Sequence, residues 1–317
     1  MTENMDRRAF MKRSAVLSAS ALAGGSLLTQ CGQNAQKTAK KVKDVGVSVV
    51  QGSDYFQNTL KAVEQLGGMG QFVPKGSKVA ILANPQRNNP GVFTKPQVLK
   101  AAIHMCKEAG AEEVACISQL PEQNWDACGL KAVVHEEGAT LVIVDREDAS
   151  QFRVVPIPNG VALKEAQIMN ALYDYDVFID MPITKDHAGN RFTGTMKNMM
   201  GLNGRQSNRT FHKQNWTEDS SAIDHLEQCI ADLNTIVTPD LCIVDATEFV
   251  TTNGPFGPGE IITPQKVVAG TDRVAIDAYC CTLWGLKGEE ILQIKKAFAH
   301  ELGEIDLQKV KVMEAIV

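Results

Sequence analysis

KVAILAN at 78–84, followed by PQVLKAAIHMCKEAG at 96–110 and EEVACIS at 112–118, is the stretch on which the fold turns. KVAILA is an unbroken apolar run of strand length. Pro96 then opens a segment in which Val98, Leu99, Ala102, Ile103, Cys106 and Ala109 recur at helical spacing, and Gly110 stops it. EEVACIS returns to an apolar run. A strand, a helix and a second strand in this order point to parallel pairing, with helices covering the strands.

The same alternation continues outward in both directions. On the N-terminal side, VGVSVV reads as a short strand, and Ser53 caps a helix through SDYFQNTLKAVEQL that Gly67 and Gly68 end. On the C-terminal side come a helix over about 126–137 ending at Gly138, the strand TLVIVD, and FRVVPIP. The last reads as an edge strand, because its prolines cannot donate to a ladder. A helix from about Leu163 to Ala171 leads into the strand DVFIDMP. Further on, Ser221 begins a helix with Asp224 in a capping-box-like place, then come the strand LCIVDAT, the turn NGPFGPG, the strand KVVAG and an apolar helix from Asp272. A last helix over about 289–301 precedes KVKVMEAIV. The pattern predicts an α/β fold: a mostly parallel sheet with helices on both faces, three layers in all, occupying residues 46–317 as one domain.

Residues 1–31 stand apart. Arg7 and Arg8, followed by a weakly apolar run from Ala15 to Leu28, form a twin-arginine export signal. The run is too short and too rich in glycine and serine to span a bilayer. Cys31 after Leu28-Thr29-Gln30 resembles a lipoprotein cleavage site, with Gln30 departing from the small residue usual there; lipidation at Cys31 and simple cleavage nearby both stay open. Residues 32–45 suit a polar tether. These features predict a protein exported by the twin-arginine route, periplasmic or held to the membrane only through a lipid on Cys31.

The chain carries 32 basic and 37 acidic residues, for a net charge of −5. Removing the signal takes away Glu3 and Asp6 with Arg7, Arg8, Lys12 and Arg13, leaving 28 − 35 = −7. An acidic domain without a long basic run argues against nucleic acid, so an anionic ligand must be met by a local cluster. Of the 8 cysteines, none forms a C-x-x-C pair, which argues against a zinc knuckle or an iron–sulfur cluster and for small buried side chains.

That local cluster is sought in DVFIDMPITKDHAGNRFTGTMKNMMG, 176–201. It opens as a strand and turns into a segment dense in Lys185, Asp186, His187, Asn190, Arg191, Thr193, Thr195, Lys197 and Asn198. The Thr-Gly-Thr turn at 193–195 with Lys197, Asn198 and Gly201 offers backbone N–H groups and an amine to a phosphate or carboxylate, although the P-loop spacing is absent. Strand ends at Asn84, Asp145, Asp180 and Asp245 should share the sheet's carboxyl edge, where α/β proteins bind ligands; each also suits a simple turn cap. His187 and His212 with Asp180 or Asp245 make an N/O set for a divalent transition metal. A solvated loop with hydrogen-bonding histidines is the plainer alternative. Asp277 sits inside an apolar helix and needs a partner, in the Gly254–Gly259 turn or a lysine of the central loop, which favours a structural role.

The ordered motifs KVAILAN, PG, T-x-P, GA-x-E, D-x-F-I-D-M-P, K-x-H…TG-T-x-KN-x-x-G, a later histidine, IVDAT…GP-x-G-P-G and TDRVAIDA resemble the bacterial and archaeal family catalogued as domain of unknown function 362, over about Lys78 to Val312. The family pattern falls on Asn84, Lys185, His187, Thr193, Gly194, Lys197, Asn198, Gly201, His212, Asp245, Gly254, Pro255, Asp272 and Asp277. Some relatives carry a ferredoxin-like domain, whose cysteine motifs this sequence lacks. The resemblance implies no established reaction.

Two functions follow as expectations. One is an exported enzyme using a divalent metal or cofactor on a small anionic substrate. Here Lys185 and Lys197 are catalytic; Asn84, Thr193, Gly194, Thr195, Asn198 and Gly201 bind ligand; and Asp272 and Asp277 support them. The other is a non-catalytic ligand- or cofactor-binding lipoprotein serving a membrane redox system.

Overall fold

The computed structural model describes residues 46–317. The twin-arginine segment, Cys31 and the tether lie outside the described residues. The first half of the described chain runs Val47–Gln51 (β1), Tyr55–Gln65 (α1), Lys78–Ala83 (β2), Pro96–Glu108 (α2), Glu113–Ser118 (β3), Glu122–Ala127 (α3), Leu130–Glu136 (α4), Thr140–Ile143 (β4), Phe152–Pro156 (β5), Glu165–Met169 (β6) and Val177–Met181 (β7). The second half runs Thr195–Asn198 (α5), Arg205–Phe211 (α6), Ser220–Leu233 (α7), Leu241–Ala246 (β8), Phe249–Val250 (β9), Ile261–Ile262 (β10), Lys266–Gly270 (β11), Arg273–Thr282 (α8), Leu292–Ala299 (α9) and Val312–Ile316 (β12).

Eight strands form the main sheet in the order β12-β1-β11-β8-β7-β2-β3-β4. β11 runs antiparallel to β1 and β8, while the pairs from β8 through β4 and the β1–β12 pair are parallel. The expectation of an α/β fold with a mostly parallel sheet holds. α1, α2, α3 and α4 pack among themselves, and α5, α7, α8 and α9 do likewise, making a helical layer on each face. Covered on both sides, β7 and β8 bury every residue, which is why their sequences are apolar without alternation. β4, at the edge, is only partly buried.

Three local readings need correction. The helix expected over 126–137 is two helices, α3 and α4, because Gly129 adopts a left-handed φ of 71° between them. The helix expected from Leu163 to Ala171 is strand β6, paired antiparallel with β5 in a ribbon outside the main sheet. Glu165 is exposed while Ala166 and Ile168 are buried, an alternation that pairing with β5 rewards over helix formation. FRVVPIP is thus an edge of that ribbon, not of the main sheet. The caps of α1 and α7 are Asp54 and Asp219, each accepting from a first-turn N–H, in place of the neighbouring serines.

The sheet reverses direction in one place that matters. From β2 the chain moves outward to β3 and β4, then returns to lay β7 on the other side of β2 and β8 beyond it. The carboxyl ends of β2 and β7 therefore flank a switch point, where the connecting loops part and leave a crevice.

Candidate functional site

The loop after β7 is built by backbone pairing and one buried carboxylate. Lys185 and Thr193 exchange both backbone hydrogen bonds, at 3.2 and 2.8 Å, closing the segment between them. α5 then starts at Thr195, and its first N–H groups meet Asp277 of α8. Asp277 Oδ1 accepts from Thr195 N at 2.7 Å and Thr195 Oγ1 at 2.9 Å, and Oδ2 accepts from Met196 N at 3.1 Å. A side chain from another helix thus does the work of an N-cap. Gly194 makes room for it, because a Cβ there would lie 2.3 Å from Asp277 Oδ1. Burial pushes the Asp277 carboxyl up to about 6 against the pull of these bonds. Its partner is neither the Gly254–Gly259 turn nor a lysine, because the strongest need in its reach is the uncapped end of α5. The turn is held by Asp186 instead, whose Oδ2 accepts from Gly254 N at 2.8 Å.

α5 delivers Lys197 and Asn198 into different layers of contact. Asn198 Nδ2 donates to Asp180 Oδ1 at 2.7 Å and to Leu82 O at 3.1 Å, and its Oδ1 accepts from Asn84 Nδ2 at 3.0 Å. Asn84 Oδ1 accepts from Lys185 Nζ at 3.3 Å, and the same amine donates to Val92 O at 2.6 Å. The chain Asp180–Asn198–Asn84–Lys185 is continuous, and its two ends are fully buried. Burial holds the Asp180 carboxyl well above the usual range and lowers the Lys185 amine to about 7. Both charges are suppressed where no water can solvate them.

This geometry corrects three assignments. Lys185, expected to be catalytic, lies beneath the cleft with its amine committed to oxygen acceptors. Asp180, expected as a metal ligand, is the floor's acceptor for Asn198. Asp245, the other proposed ligand, is fully buried. It accepts from Lys95 N at 2.7 Å, Thr247 N at 2.9 Å and Thr247 Oγ1 at 2.6 Å, pinning neighbouring loops. A carboxylate at a strand end is drawn to the nearest unpaired backbone donors, and here these lie in the protein. Asp272 caps α8 through Ala275 N at 2.9 Å and accepts from Glu304 N at 2.8 Å. Among the described residues no group of three or more His, Cys, Asp or Glu is placed to hold a metal ion. Among the described residues, seven cysteines are free and buried. Burial raises the thiols of Cys106 and Cys229 to about 12.

Above this floor opens a cavity of about 490 Å³. Asn84, His187, Thr193, Lys197, Asn198, Gly201 and His212 all line it, so these expected residues converge. Gly194, Thr195, Lys185, Asp180 and Asp245 do not. Nor does Asp145, whose neighbour Arg146 does.

Lys197 is the buried cation of the cleft, and the one hydrogen-bond partner of its Nζ among the described residues is Met200 Sδ at 3.6 Å. Burial lowers it to about 8, with the charge of Glu227 acting the other way. His187 and His212 both pack on Trp216, with ring centroids 5.3 and 4.9 Å from the indole. His187 Nδ1 donates to Ala188 O at 2.8 Å and His212 Nδ1 donates to Asn208 O at 2.9 Å, which leaves each Nε2 with its lone pair. Burial, then the Lys197 charge, pushes His187 well below its ordinary value and His212 to about 4. Both imidazoles are neutral at neutral pH.

Several members escape the sequence reading. Arg146, Arg205 and Arg209 line the same cavity, with Gln86, Gln119, Asn208 and Trp216. Arg205 and Arg209 stand four apart just after the central loop, a spacing that shares one helix face and was available as a signal. Glu227 is the other omission: 1% exposed, it accepts from Asn190 Nδ2 and Gln293 N, and burial raises it to about 7. Its place mid-helix gave no hint. Among the described residues lining the cavity there is no carboxylate.

Fold and site together define an α/β protein with a cationic cleft at the switch point of its parallel sheet. The chain belongs to the family described as Domain of unknown function (DUF362), which matches residues 78–282 and so includes every cleft-lining residue. It is similar to a thylakoid-associated protein of Synechocystis sp., 26% identical over 247 residues, covering 73% of this chain and 72% of that one. Among solved structures it is similar to the lactate racemase apoprotein from Thermoanaerobacterium thermosaccharolyticum, with a TM-score of 0.46 and 15% identity, over 73% of this chain and 57% of that one.

Proposed function

We propose that the cleft binds a small anionic molecule and exchanges a proton with it, with Lys197 as the cation and acid. The observation that carries this reading is the company Lys197 keeps. Its amine shares a cavity with two neutral imidazoles and amide donors, and no carboxylate among the described lining residues competes for it. An amine lowered to about 8 stands near the pH at which it both holds an anion and gives up a proton. The lone pair of His187 Nε2 or His212 Nε2 accepts a proton from the bound molecule, while Asn84 and Thr193 orient it. Replacing Lys197 by Gln lowers the affinity of the full chain for inorganic phosphate or acetate by about tenfold or more. Wild-type affinity falls as pH rises through about 8, because Lys197 loses its charge there. Calorimetric titration across pH reads both effects, and an affinity indifferent to pH and to the substitution ends the proposal.

A second reading rests on the histidines. With each Nδ1 bound to a carbonyl, the two Nε2 atoms are set in the way metal-ligating histidines usually are. In this reading they hold a divalent ion, and oxygens of the anionic ligand complete its shell. Equilibrium dialysis with zinc or nickel tests it, and retention unaltered by His187→Ala with His212→Ala removes it.

The protein works outside the cytoplasm in this proposal, on the strength of Arg7 and Arg8 in the sequence. Export of Arg7→Lys with Arg8→Lys, followed by cell fractionation, decides that part. A non-catalytic carrier uses the same cleft to retain its ligand, and exchange of substrate hydrogens with deuterated water separates the two, since a carrier exchanges none.

A further inference from the structure

Lys197 lines the main cavity only, whereas three arginines line it where it borders a second one. Arg146, Arg205 and Arg209 line the main cavity and also a second one of about 180 Å³ beside it, so the arginines form the wall that the two spaces share. They come from separate parts of the chain. Arg146 follows β4, and Arg205 and Arg209 stand one turn apart on α6.

The backbone around them is braced from several sides. Arg205 N donates to Arg146 O at 3.1 Å, Gly204 N and Asn203 Nδ2 donate to Gln167 O, and Ser207 Oγ accepts from Gln167 N at 2.8 Å. α6 is thereby docked on β6. Such bracing fixes the backbone from which the arginine side chains extend.

The charge there is incompletely matched. Glu147 is the one carboxylate among the described residues lining either cavity; its Oε1 lies 2.6 Å from Arg205 Nη1 and 3.7 Å from Arg146 Nε. Three guanidiniums face one carboxylate, leaving two positive charges in excess. Arg205 Nε is buried and has no hydrogen-bond partner among the described residues. A buried guanidinium donor without an acceptor is costly, and a ligand oxygen supplies what is missing. Guanidinium forks match the planar, paired oxygens of carboxylate and phosphate.

We infer that the cleft's ligand is an elongated dianion. One anionic group lies at Lys197, and a second carboxylate or phosphate is gripped by Arg146, Arg205 and Arg209 at the wall shared with the second cavity. This rests on the reading of Lys197 given above and adds the second charge and the length of the molecule. The arginine end sets which anions are accepted, and the Lys197 end meets the reacting group.

The test is calorimetric titration of the full chain, at low ionic strength, with the α,ω-dicarboxylates from malonate to suberate and the monocarboxylates of matching length. For the dicarboxylate that spans the cleft, the expected affinity is about tenfold or more above that of its monocarboxylate, the gain of one charge-assisted anion contact. Arg205→Gln and Arg209→Gln bring that ratio down toward one, whereas Lys197→Gln weakens both kinds of acid. Arg209 is exposed, so its replacement leaves the fold intact and keeps the ratio readable should Arg205→Gln misfold. The inference is overturned if no dicarboxylate surpasses its monocarboxylate, or if the ratio survives both arginine substitutions while the Lys197 reading stands. A Lys197→Gln protein that binds both kinds of acid as the wild type does overturns the Lys197 reading instead, and the two-ended ligand with it.

Discussion

Lys185 and Lys197 belong to one loop, and burial depresses both, yet they end on different sides of the same hydrogen-bonded layer. Lys185 Nζ has two oxygen acceptors, Val92 O and Asn84 Oδ1, and none of its surroundings is open to a ligand. Lys197 Nζ has a thioether at 3.6 Å and a cavity beside it. A buried amine whose donors are satisfied stiffens the floor, whereas one whose donors are not waits for an anion. Desolvation alone does not distinguish a structural lysine from a functional one. The partners do.

Removing what holds the helix of Lys197 should give the largest effect. Asp277→Ala leaves the N–H groups of Thr195 and Met196 buried without acceptors, and Thr195 Oγ1 keeps only the longer bond to Arg273 O at 3.4 Å. A loss of about 3–5 kcal/mol in unfolding free energy is expected, together with loss of anion binding. Chemical denaturation of the variant and wild type measures it, and an unfolding free energy unchanged by the substitution would show that α5 does not depend on this cap.

The two lysines are separated next by their pH dependence. Lys185 is lowered to about 7 in the folded protein from 10.5, so the unfolded chain holds more protons between those values. Stability therefore rises with pH across that window, and below about 7 the full cost of burying the charge is present. Lys197, lowered to about 8, adds a rise of the same sign over a narrower range. Lys185→Met should remove the larger part of the rise, on the order of a few kcal/mol, and raise stability at pH 7 and below. Denaturant midpoints measured from pH 6 to pH 10 check this, and a rise undiminished in the variant would mean that Lys185 is not the buried base responsible.

The smallest effect belongs to the wall of the cleft. Trp216 packs against both His187 and His212, so Trp216→Ala should loosen the two rings while leaving the floor of Asp180, Asn198, Asn84 and Lys185 in place. The expected cost is about 0.5–1.5 kcal/mol in anion affinity. The histidine ring resonances, followed by NMR, should move toward ordinary titration as water reaches them. Rings that remain untitratable down to pH 5 would place the cause of their low values elsewhere than the indole.

Much of the fold could be read without coordinates because the central strands are covered on both faces. KVAILA, DVFIDM and LCIVDA are continuous apolar runs, and only a buried parallel strand or a buried helix needs such a run. The ribbon of β5 and β6 was legible only in part, since Glu165–Met169 alternates over too few residues to outweigh its helix-forming composition. In the site, the density of polar groups between Lys185 and Gly201 located the loop. Thr193, Lys197, Asn198, Gly201, His187, His212 and Asn84 do meet in one cleft. The loop's composition gave no means of telling Lys185 from Lys197, or of seeing that Asp180 and Asp245 spend their oxygens on the protein itself. Arg146 was hidden behind Asp145, which drew attention as the polar strand end, although the next side chain is the one at the cavity.

The sequence by itself determined the alternation of the central strands with their covering helices, the mostly parallel sheet, and the loop that carries the cleft's lysine and one of its histidines. These follow from local patterns, since apolar periodicity and the density of polar groups are properties of consecutive residues. Only the tertiary structure decided which polar groups face the cavity and which lie beneath it, and that Arg146, Arg205 and Arg209 gather on the same cavity as Lys197. That choice depends on which unpaired backbone donors and carbonyls come within reach of each side chain once distant elements pack. Asp277 finds the end of α5 and Asp245 the loop at Lys95. A buried polar group is satisfied by whatever the fold brings to it, and no count of neighbours along the chain supplies that information.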